Sequence, residues 1–172
     1  MPYEGVRDGY AKLSVDKYYE QHNNDYRNPH ENVIKELINI AQKNGIVGNK
    51  VLDLCCGSGE ATMALNNCEV IGVDPYTSEA YYNRTGKKLI PLSFKDIVEG
   101  QLIGNYDSII CSFALHLCPI SLLPMILWRL GEVTSTLIII TPHKRPDCDN
   151  ISGWILVDEI LLNRVRMRIY YR

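Results

Sequence analysis

Along the chain, short apolar runs alternate with stretches in which apolar residues recur at helical spacing. In NPHENVIKELINIAQKNG (28–45), Val33, Leu37, Ile38 and Ala41 share one helical face, the pattern of an amphipathic helix. Asn28 suits the N-cap, Pro29 the first turn, Glu31 the third helical position and Gly45 the exit. Then follow NKVLDLCC (strand), EATMALNN (helix), CEVIGVDP (strand) and TSEAYYNRTG (short helix). KKLIPLSF reads as a strand, DIVEGQL as a turn or short helix and YDSIICSF as a strand. ISLLPMILWRLGEV reads as a helix bent at Pro124, and STLIIITP and WILVDEILL as strands. In RVRMRIYYR, Val165, Met167, Ile169 and Tyr171 alternate with Arg164, Arg166, Arg168, Tyr170 and Arg172. That period of two marks a strand with one wet face.

Helices separate most of the first five strands, which implies right-handed crossovers and a parallel sheet. The last two runs meet at Asn163 and should pair as an antiparallel hairpin. The expectation is an α/β three-layer sandwich, Rossmann-like, with a seven-stranded, mostly parallel sheet ending in that hairpin. One domain over 1–172 is expected, with 28–172 as core and 1–27 as an N-terminal lid or substrate segment.

The composition is ordinary for a globular domain: 172 residues, 46% hydrophobic and 22% charged. A net charge of −2 argues against a wholesale nucleic-acid or membrane binder. No apolar stretch approaches the roughly 18 residues of a membrane span, and the N-terminus lacks the apolar core of a signal peptide. Cys55, Cys56, Cys68, Cys111, Cys118 and Cys148 show no zinc-type pairing. A reduced, cytoplasmic protein without structural metal is expected.

The chemistry gathers around VLDLCCGSGEA (51–61), where an apolar strand carries Asp53 and runs into Gly57-Ser58-Gly59. In open parallel sheets ligands collect at the carboxyl ends of strands, and glycines there admit a tight turn and a close approach. Asp53 also has a structural reading, as a buried acid bonded to nearby backbone. Asp74 ends the next strand about 20 residues on, placed to take the hydroxyls of a ribose. Asp96 and Ile97 follow the third strand, suited to the edge and face of an adenine. Nicotinamide dinucleotide binding would want a third glycine at position 62, which is Thr62.

On these residues the chain resembles the class I S-adenosylmethionine-dependent methyltransferases over roughly 28–172. VLDLCCGSGEA looks like their first motif, IGVDP the second, FKDI the adenine motif and YDSIICSFALHL the fourth. The resemblance implies S-adenosyl-L-methionine as methyl donor and S-adenosyl-L-homocysteine as product. It implies that Asp53 orients the methionyl ammonium, directly or through water, while Gly57, Ser58 and Gly59 pass under the ligand and Cys55 belongs to the same cofactor-binding loop. Asp74 with Pro75 would hold the ribose, Asp96 with Ile97 the adenine, and Ser112 and Phe113 would line the methionyl side. Cys55 departs from the glycine the family most often has.

Methyl transfer from a sulfonium relies mainly on alignment, and a general base is needed only for a protonated acceptor. His116, in SFALHLCP, is the candidate catalytic residue, with a backbone-bonded loop histidine as the plainer reading. His143 is placed towards the same cleft, and Trp154 is read as a cleft or core residue. In the N-terminal segment Tyr18, Tyr19, His22, Tyr26 and Arg27 precede the first helix, and Arg27 suits the cofactor carboxylate. Residues 143–172 carry Lys144, Arg145, Arg164, Arg166, Arg168 and Arg172 against Asp147, Asp149, Asp158 and Glu159, a net +2. An anionic acceptor, a phosphorylated metabolite or RNA, fits that bias, although the alternating arginines also suit a solvated sheet face or edge. The contrasting function is a non-catalytic cofactor-binding subunit that activates or stabilises a partner methyltransferase. Either a monomer or a partner-bound chain is compatible with the sequence.

Overall fold

The computed structural model describes Lys17 and residues 27–172. Tyr18, Tyr19, His22 and Tyr26 therefore lie outside the described residues. Helix α1 (Glu31–Lys43) buries Ile34, Leu37, Ile38 and Ala41, while Val33 is only partly buried. Its start falls later than the sequence suggests. The Asn28 side chain accepts from the His30 amide at 2.9 Å, closing a turn before the helix, so His30 occupies the cap and Glu31 the first helical position. Gly45 ends the helix at φ +69°, where the Ile46 amide reaches back to the Ala41 carbonyl at 3.0 Å.

After it come β1 (Lys50–Leu54), α2 (Glu60–Ala64), β2 (Glu69–Val73), α3 (Ser78–Thr85) and α4 (Phe94–Val98). β3 (Ser108–Ser112), α5 (Leu123–Leu130), β4 (Thr136–Thr141), β5 (Ile155–Leu162) and β6 (Val165–Tyr171) complete the series. Among the described residues the sheet has six strands, in the order β2-β1-β3-β4-β6-β5. The first four are parallel, and β6 runs antiparallel between β4 and β5. Asn163 and Arg164, both at positive φ (+48° and +66°), make the two-residue hairpin turn.

The seventh strand expected at KKLIPLSF is not formed. Only Ile90 bridges to β2, donating to the Gly72 carbonyl at 2.8 Å and accepting from the Asp74 amide at 3.2 Å. Pro91 follows without an amide to donate, and Lys87 and Lys88 before it are exposed, so the ladder stops at one residue. Pro124 does not bend α5 either: it sits in the first turn, where a missing amide is harmless.

Alternation along the strands makes the three layers. Val51, Ile110, Ile138 and Ile140 pack with α1 on one face. Leu52, Leu54, Ile109, Cys111, Leu137 and Ile139 meet Ile97 of α4 and Leu123, Ile126, Leu127 and Leu130 of α5 on the other. Trp154 belongs to this second core, fully buried with its indole donating to the Leu127 carbonyl at 2.8 Å.

The arginine stripe is not the wet face or edge that its period predicts, because β6 is an inner strand and β5 takes the edge. Arg168 is 6% exposed. Its guanidinium donates to Glu159 at 2.6 Å and to the carbonyls of Lys144 and Pro146 at 2.9 and 3.3 Å, clamping the loop after β4. Arg166 lies 3.7 Å from Glu159, and Arg172 rests over the Trp128 ring at 4.6 Å. Arg168→Met should therefore lower stability by about 1–3 kcal/mol, the range for stranding charged and carbonyl partners. Urea denaturation checks this, with a midpoint equal to that of the natural protein as the contrary result.

Candidate functional site

The loop leaving β1 is small because it has to be. Gly59 takes φ +90°, and a β-carbon there would lie 2.6 Å from Thr85 Cγ2 and 3.2 Å from the Tyr81 ring. Gly57 takes φ +55°, and Cys55 takes the same left-handed angle with a side chain attached. That conformation costs a non-glycine residue about 1–2 kcal/mol, which accounts for the small residues at this bend.

Asp74, at the end of β2, ties this loop to the next. Its carboxylate accepts from the Gly57 amide at 3.1 Å, the Tyr76 amide at 2.8 Å and the Thr77 amide at 3.1 Å. Thr77 returns the link, its hydroxyl donating to the Gly57 carbonyl at 2.7 Å. A carboxylate offers about four acceptor positions, so Asp74 retains room for a ligand hydroxyl. Burial raises its pKa against these opposing hydrogen bonds.

Asp53 is fully buried at the end of β1. Its Oδ2 accepts from the Thr62 amide at 3.0 Å and the Thr62 hydroxyl at 2.7 Å. Its Oδ1 has no hydrogen-bond partner among the described residues. Burial pushes its pKa up to about 7, with Glu60 and Asp74 adding to the rise and the Thr62 bonds opposing it. One oxygen is thus bonded locally, as the structural reading of Asp53 has it, and the other has no partner among the described residues.

A cavity of about 410 Å³ opens beside these loops, within the range for small-molecule sites. Cys55, Gly57, Asp74, Pro75, Ile97, Ser112 and Phe113 line it, as the sequence places them. Tyr76, Leu92, Ser93, Phe94 and Lys95 line it too and were not singled out. Asp53, Ser58, Gly59, Asp96, His116 and Arg27 are not on its wall. Ser58 is buried, its hydroxyl bonded to Glu60 at 2.5 Å. Asp96 makes a capping box with Ser93: its Oδ2 accepts from the Ser93 amide at 2.8 Å and hydroxyl at 2.6 Å. Those bonds hold its pKa down.

The segment before α1 reaches both sides of the site. The Asn28 amide donates to Glu60 at 2.8 Å beside the glycine loop. The His30 ring stacks on Phe113, centroids 4.9 Å apart. Phe113 itself is held at φ +56°. Arg27 is exposed at the head of this segment. His116 lies in the 3-10 turn Leu115–Leu117, its ring tilted against His143 at 4.4 Å. Burial, and then His143, lower its pKa to about 4. Its Nδ1 is buried without a partner among the described residues.

Reading the sequence missed His30, Glu60, Tyr81 and the positive role of Thr62. Thr62 stood out only as a failed glycine. Tyr81 and Tyr82 are adjacent, and only the packing shows that Tyr81 is buried while Tyr82 is exposed.

No model of a known protein family matches the chain. The magnesium protoporphyrin IX methyltransferase of Synechocystis PCC 6803, solved with bound S-adenosylmethionine, superposes with a TM-score of 0.67 at 17% identity, over 97% of this chain and 95% of that one. A putative RNA methyltransferase from Pyrococcus horikoshii gives 0.61 at 19% identity, over 86% of each. The fold is that of the class I S-adenosylmethionine-dependent methyltransferases. In sequence the chain is 32% identical to an uncharacterised protein of Schizosaccharomyces pombe, over 89% of this chain and 80% of that one. It belongs to that protein's family.

The buried acid predicts a pH signature. An aspartate whose folded pKa is raised to about 7 loses nothing below its unfolded value near 4 and weakens the fold progressively as pH rises to 7. Asp53→Asn should therefore gain in thermal stability relative to the natural protein between pH 4 and 7, with the difference level above that. Paired melting curves across this range check it; a constant difference would contradict the burial of the charge.

Proposed function

We propose that this chain is an S-adenosylmethionine-dependent methyltransferase that releases S-adenosylhomocysteine, an enzyme of the 2.1.1 class. The observation that carries the reading is the cavity at the strand ends, with Asp74 on its wall and the unpartnered Asp53 Oδ1 buried behind its glycine loop.

In this reading Asp74 accepts a ribose hydroxyl at its remaining position, and Pro75 walls the same end. Ile97, with Leu92 and Phe94, offers an apolar slot for the adenine. Asp96 serves that slot by capping the helix that carries Ile97. Ser58 and Gly59 shape the loop from behind. Asp53 favours the ammonium by way of Oδ1, while Cys55, Ser112 and Phe113 line the methionyl end. Arg27, at the head of a segment stacked on Phe113 through His30, is the cation for the carboxylate.

The bound sulfonium would supply an electrophilic methyl group: as the acceptor's bond to that carbon forms in line, the carbon–sulfur bond breaks and a neutral thioether leaves, needing no acid assistance. The chain's contribution is alignment and exclusion of water. His116 stays neutral at physiological pH, and its Nδ1 has no partner among the described residues, which favours an acceptor that offers an uncharged donor once the site is filled. Lys144 and Arg145 are exposed on the loop after β4, which favours an anionic small molecule. Arg166, Arg168 and Arg172 are engaged within the fold, which removes most of the basic stripe that would favour RNA.

The test is calorimetry with S-adenosylhomocysteine, followed by transfer of labelled methyl groups to components of a cell extract. Asp74→Ala should weaken binding of the product nucleoside by about 1.5–3 kcal/mol, the range for lost charged hydrogen bonds. Binding unchanged by that substitution would reject the ribose role. Labelled transfer by the isolated chain would reject a purely accessory subunit.

A further inference from the structure

Behind the glycine loop, away from the cavity wall, lies a chain of hydroxyls that the proposed chemistry leaves unexplained. The Tyr81 phenol and the Thr62 hydroxyl are 3.0 Å apart, and the Thr62 hydroxyl is 2.7 Å from Asp53 Oδ2. Thr62 has one hydroxyl proton. When Asp53 is ionised it has no proton to give, so the Thr62 proton points at the carboxylate. Tyr81 must then be the donor to Thr62. The two bonds run in one direction, towards Asp53, and each polarises the next.

Tyr81 has no freedom to turn away. It is fully buried. A β-carbon on Gly72 would lie 2.6 Å from its Cζ and 2.7 Å from its hydroxyl oxygen, and one on Gly59 would lie 3.2 Å from Cδ2. β2 and the glycine loop thus grip the ring between two positions without side chains. The charged and titratable groups acting on the Asp53 site from other elements are Glu60 of α2, Asp74 after β2 and the Cys56 thiol. The two carboxylates oppose a third negative charge there; Glu60 is partly offset by Arg84 at 3.6 Å. The Thr62 amide and the hydroxyl chain are what favour the ionised acid.

We infer that Tyr81 is a positioning residue for the ammonium end of the cofactor, its phenol fixing Thr62 and through it the Asp53 carboxylate. The role rests on the cofactor reading proposed above. Tyr81 touches no ligand itself; it aims the Thr62 proton at Oδ2 and so leaves Oδ1 as the free, negatively charged acceptor.

Two measurements test this. In the ligand-free protein, a carboxyl-carbon NMR titration should show the Asp53 inflection at higher pH in Tyr81→Phe, and higher still in Thr62→Val. Adding Tyr81→Phe to Thr62→Val should move it no further, because the path runs through the Thr62 hydroxyl. In binding, Tyr81→Phe should weaken S-adenosylhomocysteine on the order of five-fold near neutral pH, the effect of about one hydrogen bond. 5′-Methylthioadenosine, which lacks the ammonium, should bind both proteins alike. Equal loss of both ligands would make Tyr81 mere packing under the loop and overturn the inference. So would an unchanged Asp53 titration in Tyr81→Phe, with S-adenosylhomocysteine still bound tightly by both proteins; the cofactor reading would then survive. Failure of the natural protein to bind S-adenosylhomocysteine would overturn that reading and the role of Tyr81 with it.

Discussion

The three hydrogen bonds accepted by Asp74 join two loops that the sheet alone would leave independent. β1 and β2 are parallel neighbours, so their carboxyl ends emerge side by side. Nothing in strand pairing dictates the path of the chain beyond them. By accepting from Gly57 on one side and from Tyr76 and Thr77 on the other, one carboxylate sets the width of the cavity floor. Cys55, Gly57 and Gly59 take left-handed angles in the loop that this tie closes. The strain falls on Cys55, since glycines take such angles freely.

Burial then divides labour among the acids. Asp74 is nearly covered yet satisfied by amides, and Asp96 is satisfied by a helix cap. Of the three, Asp53 alone keeps a buried oxygen without a partner among the described residues. An incomplete hydrogen-bond set in a dry place destabilises the fold, and such incompleteness is common where a ligand completes the set. The site thus separates acids that build the cavity from one whose bonding is unfinished.

Much of this was legible in the residues. The strand–glycine–helix signal of 51–61, the acid ending β2 and the closing hairpin all rest on local patterns with few physical solutions. Their structural counterparts lie where those patterns put them. The legibility failed where an outcome depends on neighbours distant in sequence. KKLIPLSF has strand-like apolar content, but pairing there requires amides that Pro91 lacks. The arginines of β6 alternate as on a wet strand, yet the face they occupy is covered by β5's Glu159 and the loop after β4. Asp96 stands in the motif where an adenine-binding acid is expected, and the use of its carboxylate by Ser93, three residues earlier, shows only in the structure. The burial of Tyr81 rather than Tyr82 depends on Gly72 and Gly59, which lie on other elements.

The place of β5 at the rim of the sheet carries a consequence for concentrated solutions. Among the described residues its outer edge is unpaired, and Ile155, Val157 and Leu161 along it are each about half exposed or more; a strand margin of this kind invites a second copy to zip on. Asp158 stands exposed near its centre, next to Glu159, which Arg166 and Arg168 already engage. Two molecules meeting antiparallel about that centre would bring acid against acid, a repulsion that grows as ionic strength falls. The greasy rim therefore carries its own deterrent to stacking, and salt weakens that deterrent.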